Sequence, residues 1–211
     1  TAPIQNIRNR VVRGPVPTLS IRSTKIQKNL RGLSAHYYNR YVGDNGELYL
    51  RKANESIKIL NSEISLNERE ALLIKSPFWD VQASNLSEVT IHINSSLITQ
   101  NGQGIRQYSK DLRSSNNLFH YVIQDTTVED NARGGFQVSL PYVWQYNENF
   151  THSIYFGNST WQKNRNFYID VRGHYAVFNI SSNAFLNNYC SRSLISLDGM
   201  GKYTISDQMD W

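Results

Sequence analysis

One pattern dominates the 211 residues: an apolar residue followed three positions later by Asn, at Ile26/Asn29, Ile64/Asn67, Ile98/Asn101, Val128/Asn131, Trp161/Asn164 and Phe185/Asn188. Successive copies are 38, 34, 30, 33 and 24 residues apart. A short alternating strand precedes each pair, as in "ESIKIL", "EVTIHI" and "HSIYFG", and a polar corner such as "NSE", "NSS" or "NST" separates the two. A second corner and a third short strand follow, as in "ALLI", "GFQVSL" and "FYIDV". A further copy begins at "KYTISDQ". Three brief strands with period-two apolar residues bury nothing alone, but stacked on equivalent units they enclose a continuous interior. The pattern predicts an all-β chain, a right-handed parallel β-helix (solenoid) of about six to seven rungs with loop insertions on one edge. It forms one domain over 1–211, with 1–17 read as a leading rung or a cap and 18–211 as the rungs. An antiparallel sandwich is also rich in short strands, but has no reason to place Asn at one phase of every unit.

On stacked rungs the recurrent Asn acquires a physical task. It tolerates left-handed or bridge backbone angles at a corner. Its side-chain amide can also donate to the Asn in the next unit, building a ladder from Asn29, Asn67, Asn101, Asn131, Asn164 and Asn188. The apolar partners form an inward column that grows bulkier toward the C-terminal end, which predicts a wider core there.

Unit lengths differ at one place, between the third strand of one unit and the first strand of the next. The insertions carry Tyr37, Tyr38, Arg40, Tyr41, Phe78, Trp79, Tyr142, Trp144 and Tyr146. Exposed Tyr, Trp and Arg mark contact surfaces, so these loops are the candidate contacts to a protein partner or another copy. The bland alternative is that the rings pin the loops to the wall.

Composition narrows the setting. No apolar run approaches the roughly 18 residues of a membrane helix. The formal net charge is +5, with seven Lys or Arg between Arg8 and Arg31 and no acid before Asp44. A solvated basic face explains this more simply than nucleic acid or an anionic surface. Cys190 stands alone, which excludes an internal disulfide and a thiolate zinc site. Asn54, Asn85, Asn94, Asn149, Asn158 and Asn179 each open an Asn-X-Ser/Thr triplet, the acceptor of N-glycosylation, and together they point to an extracellular chain carrying N-linked glycans.

Catalysis finds little support. Glycoside chemistry needs two carboxylates facing one another. The outward phase of the third strand reads Gln107, Gln137, Asp170 and Ser196, with Asp170 alone. Asp125, Glu129 and Asp130 crowd one corner and read as a solvated turn rather than a cation site. His120, His152 and His174 precede the first strand of three successive units and read as satisfied corner histidines rather than a metal column. No nucleophile elbow, phosphate loop, dinucleotide fingerprint or zinc helix motif is present, and no cofactor or metal is expected.

Three strings, "GLSAHYYNRYVG", "LRSSNNLFHYVIQDTTVEDNARGGF" and "LPYVWQYNENFTHSIY", resemble the repeat segments of the Bark beetle (Anakonda) family of insects, over Thr18 to the end. The resemblance implies a piece of a very large single-pass protein with extracellular β-helix repeats. Such proteins organise the corners where three epithelial cells meet, in septate junctions. It implies no catalytic residues. The expected function is therefore a non-catalytic extracellular adhesion module acting in cell–cell junction assembly. It would touch a membrane only through the parent's anchor and would bind no nucleic acid. The alternative is a carbohydrate-binding or polysaccharide-degrading β-helix domain, with the aromatic loops stacked on sugars.

Overall fold

The computed structural model describes residues 10–12, 18–36, 40–42, 48–51, 55–76, 87–109, 117–138, 140, 151–165, 169–172, 176–189, 195–198 and 201–205. Among the described residues every regular element is a strand. Nearly all pairing is parallel and joins stretches of chain one repeat apart.

The first sheet holds seven strands, stacked in chain order: Thr18–Arg22, Glu55–Leu60, Ser87–Asn94, Asn117–Gln124, His152–Gly157, Ala176–Ser181 and Gly201–Ile205. The second holds six three-residue strands: Lys25–Gln27, Glu63–Ser65, Leu97–Thr99, Thr127–Glu129, Thr160–Gln162 and Ala184–Leu186. The third holds four: Leu33–His36, Glu70–Ser76, Gln103–Ser109 and Phe136–Val138. Its column is taken up again by Ile169–Arg172 paired with Ile195–Asp198. The "KYTISDQ" copy contributes the last strand of the first sheet, in register with Ala176–Ile180.

Alternation decides which residues face inward. In Glu55–Leu60, Ile57 and Ile59 are buried while Lys58 is exposed; in Ser87–Asn94, Val89, Ile91 and Ile93 are buried. These side chains stack on their register partners, Ile57 with Ile91 and Ile59 with Ile93, so like sits on like about 4.8 Å apart. The predicted column is in register throughout, Ile26↔Ile64↔Ile98↔Val128↔Trp161↔Phe185. Where it turns aromatic the interior becomes a ring cluster. Trp161 is fully buried, stacks on Phe185 at 6.3 Å and 10°, and lies 4.7 Å from Phe156. Phe136 meets Phe156 edge-on at 5.0 Å and 87°, a geometry that aromatic quadrupoles favour.

The basic N-terminal stretch contributes Arg10–Val12, which runs parallel to Leu48–Arg51 outside the three sheets. Leu48–Arg51 in turn pairs antiparallel with Arg40–Val42. Residues 1–9 and 13–17 lie outside the described residues.

Two expectations about phase are corrected. Gln107 does not share an outward column with Gln137: its register partner is Val138, and Gln137 pairs with Arg106. Gln107 therefore faces inward, is buried, and accepts a short hydrogen bond from the Tyr121 hydroxyl. A one-residue offset in a strand reverses the face, and sequence spacing did not resolve it. Asp170 does pair with Ser196. The second correction concerns left-handed backbone: it falls not on the ladder Asn but on the residue before it, at Lys28, Leu66, Gln100, Asp130, Lys163 and Asn187, with φ of 51–59°. An earlier column, Ser23, Asn61, Ser95, Asp125, Asn158 and Ser182, has φ of 47–58°. Each complete unit thus turns twice through a left-handed residue, once between the first and second strands and once after the second. Asn, Asp and Ser fit this role because short polar side chains satisfy local backbone groups there. Lys, Leu and Gln have no such compensation and adopt it because the stacked neighbours impose it.

Candidate functional site: two polar ladders at the corners

The second corner is the Asn ladder. The backbone N–H of Asn29, Asn67, Asn101, Asn131 and Asn164 donates to the Oδ1 of the next Asn along the stack, at 3.1–3.2 Å. From Asn67 onward the Nδ2 donates to that same Oδ1, at 2.8, 3.1, 2.9 and 3.1 Å. Nδ2 also reaches back to the carbonyl of the column residue in the preceding unit: Asn101 to Ile64, Asn131 to Ile98, Asn164 to Val128 and Asn188 to Trp161. Asn67, Asn101, Asn131 and Asn164 are buried. From Asn101 onward each Oδ1 thus receives two donors, and each Nδ2 serves a carbonyl that a corner would otherwise orphan. All six predicted ladder residues take part.

A second ladder, interrupted between Ser96 and Thr126, runs along the first corner, and sequence reasoning missed it. The backbone N–H of Thr24 donates to Ser62 Oγ, Ser62 to Ser96 Oγ, Thr126 to Ser159 Oγ, and Ser159 to Asn183 Oδ1, all at 3.1–3.2 Å. Each of these side chains also donates two residues back, to Arg22, Leu60, Asn94, Gln124, Gly157 or Ser181. The signal was in the text: the second residue of every corner is Thr, Ser or Asn. The same letters also spell Asn-X-Ser/Thr triplets, and that reading absorbed them.

Outside the ladders, polar groups of adjacent units neutralise one another. Glu70 is buried and accepts from Arg31 Nε at 2.8 Å and Arg106 Nη1 at 3.4 Å, so one carboxylate ties together three units. Burial pushes its pKa up, but a backbone hydrogen bond and the two guanidiniums outweigh it and hold the carboxyl below the usual range. Glu63 is also held low, first by the Ser65 hydroxyl and then by Lys25. Gln103 donates to Gln137 at 2.8 Å and Gln162 to Glu129 at 2.5 Å.

His120 and His152 do not stack. His120 pairs in register with Ser153, so His152 sits one position earlier and on the opposite face. His152 is wholly buried, stacks on Phe119, and accepts the Phe119 backbone N–H through Nδ1 at 3.0 Å. His120 faces outward, shares a 2.8 Å hydrogen bond with Ser153 Oγ, and has its pKa lowered by burial against an opposing effect of Glu88. His174 lies outside the described residues. Asp125, Glu129 and Asp130 are also not one cluster: the strand Thr127–Glu129 separates Asp125 at the first corner from Asp130 at the second. Asp125 accepts from Asn158 Nδ2 at 2.6 Å. No group of three metal-ligating side chains occurs among the described residues.

Of the glycosylation candidates, Asn94 ends a first-sheet strand, Asn158 is exposed at the first corner, and Asn179 lies within Ala176–Ser181. Asn54, Asn85 and Asn149 lie outside the described residues, as do Tyr37, Tyr38, Phe78, Trp79, Tyr142, Trp144 and Tyr146. Arg40 and Tyr41 lie on the strand paired antiparallel with Leu48–Arg51.

No family model matches the chain. No solved structure matches it. It is 79% identical over 202 residues, 96% of its length, to Protein bark beetle of Drosophila melanogaster. The match spans only 6% of that much longer protein. Identity at that level along almost the whole stack leaves one assignment: the chain belongs to the bark beetle family.

Proposed function

We propose that the chain is a right-handed parallel β-helix of about six to seven rungs, with its insertions on one edge, serving as a non-catalytic extracellular structural module. It is one stretch of a large cell-surface protein and acts in cell–cell junction assembly, through contacts to a protein partner or another copy. The observation that carries the proposal is the continuity of the Asn ladder from Asn29 to Asn188. Each of the six units is bound to the next by an Asn side chain at the second corner and by at least two parallel strand pairings. Such a stack resists shear along its axis, which suits a spacer.

The test belongs in the intact parent protein at the surface of epithelial cells. Asn101, Asn131 and Asn164 are replaced together by Ala, and accumulation at cell contacts is imaged alongside surface delivery. Loss of accumulation with surface delivery retained is the expected result. Normal junction assembly would overturn the proposal, as would release of reducing sugar from polysaccharides by the purified chain.

A further inference from the structure

The three described Asn-X-Ser/Thr triplets hold their amides differently. Asn158 donates through Nδ2 to Asp125. Asn94 accepts the Ser95 hydroxyl at 2.7 Å. Asn179 sits between Phe178 and Ile180, both fully buried, so alternation turns it outward. Its side-chain amide has no hydrogen-bond partner among the described residues.

What lies beside Asn179 is unusual for this face. Its register partner one strand back is Tyr155, which is half-buried. The Tyr155 ring is folded down along its own strand over Gly157: a Cβ at Gly157 would collide with the ring's Cε1, Cζ and Oη. Gly157 in turn pairs with Ser181, the hydroxyl residue of the Asn179 triplet. One side of the ring therefore packs on a bare backbone, and the ring runs alongside the Asn179–Ser181 edge.

We propose that Asn179 carries an N-linked glycan and that the Tyr155 ring is the platform on which its first N-acetylglucosamine packs. The proposal rests on the extracellular reading above. The donor is a lipid-pyrophosphate-linked oligosaccharide of the secretory pathway. Asn179 Nδ2 forms a bond to the anomeric carbon, the anomeric C–O bond breaks, the lipid pyrophosphate leaves with the electron pair, and one amide proton is lost. The transfer meets the extended chain, so the strand position of Asn179 is no obstacle. Once the chain folds, the outward amide projects the pyranose away from the core and next to the ring. One face of that sugar carries several C–H hydrogens, and the negative face of an aromatic ring attracts them. Asn158 and Asn94 have no described aromatic register partner: Asn94 pairs with Leu60 and Gln124.

The competing role for Tyr155 is to cover Gly157, as aromatic residues do for strand glycines. A cycle separates the two. The chain is secreted from insect cells, glycopeptides are mapped by mass spectrometry, and Tm is measured for Tyr155→Leu with and without Asn179→Gln. Leu keeps a cover over Gly157 and removes the π face. The expected result is an occupied Asn179, and a Tm loss from Tyr155→Leu that is roughly 2–4 °C larger when the glycan is present. An equal loss in both backgrounds would overturn the platform. A bare Asn179 with sugar on Asn158 or Asn94 would overturn the site while leaving the extracellular reading standing. Six bare triplets would remove both.

Discussion

The Asn ladder makes a quantitative demand that depends on position. Replacing Asn131 by Ala removes an Oδ1 that receives the Asn101 backbone N–H and Nδ2, and an Nδ2 that serves Asn164 Oδ1 and the Ile98 carbonyl. Asn101 Nδ2 keeps the Ile64 and Thr99 carbonyls, and Asn164 Oδ1 keeps the Asn131 backbone N–H. What is left stranded is the buried N–H of Asn101 and one lost donor to the Ile98 carbonyl. A stranded buried group costs about 1–3 kcal/mol, so the two together, with the small void, destabilise by about 3 kcal/mol. Asn29→Ala is the internal control. Its side chain is exposed and donates only to the Gln27 carbonyl, so its loss costs under about 1 kcal/mol. Urea unfolding of the two variants, at unchanged m-value, measures the difference. Equal midpoints would refute the claim that the ladder holds by satisfying buried groups rather than by local corner propensity, because both substitutions remove the same residue type from the same turn.

Trp161→Ala should cost about 3–5 kcal/mol in the same assay, because its ring fills the space between Phe136, Phe156 and Phe185. Gly104→Ala should be strongly destabilising or prevent folding, read by circular dichroism, because the added Cβ meets the Gly135 carbonyl and backbone cannot swing aside as a side-chain tip can. The pKa of His120 is lowered on folding, so the unfolded chain binds the proton more readily. Its contribution is present above about pH 6.5 and lost as pH falls through the folded value, and His120→Gln should flatten the melting profile in that range. Glu70 is also lowered, but it is an acid: its stabilisation is present above about pH 4.3 and lost as pH falls through its folded value. Glu70→Gln should therefore matter at pH 7 and much less near pH 2.

The sequence alone determined the unit. Apolar residues at period two, polar corners and an Asn at constant phase specify strands that only stacking can complete. The register of Ile26, Ile64, Ile98, Val128, Trp161 and Phe185 followed from their spacing to Asn. Only the tertiary structure decided the face of residues with no such marker. Gln107 and His152 turned inward because strand phase flips with a single residue, and nothing local in "GIRQY" or "FTHSIY" counts that residue. Only the stack, too, showed that the corner Ser and Thr form a second ladder. A hydroxyl that caps its own turn and one that also receives an amide 33 residues away read identically in one dimension. The left-handed backbone at Leu66 and Lys163 belongs to the same class, since neither residue asks for it and the neighbouring units enforce it.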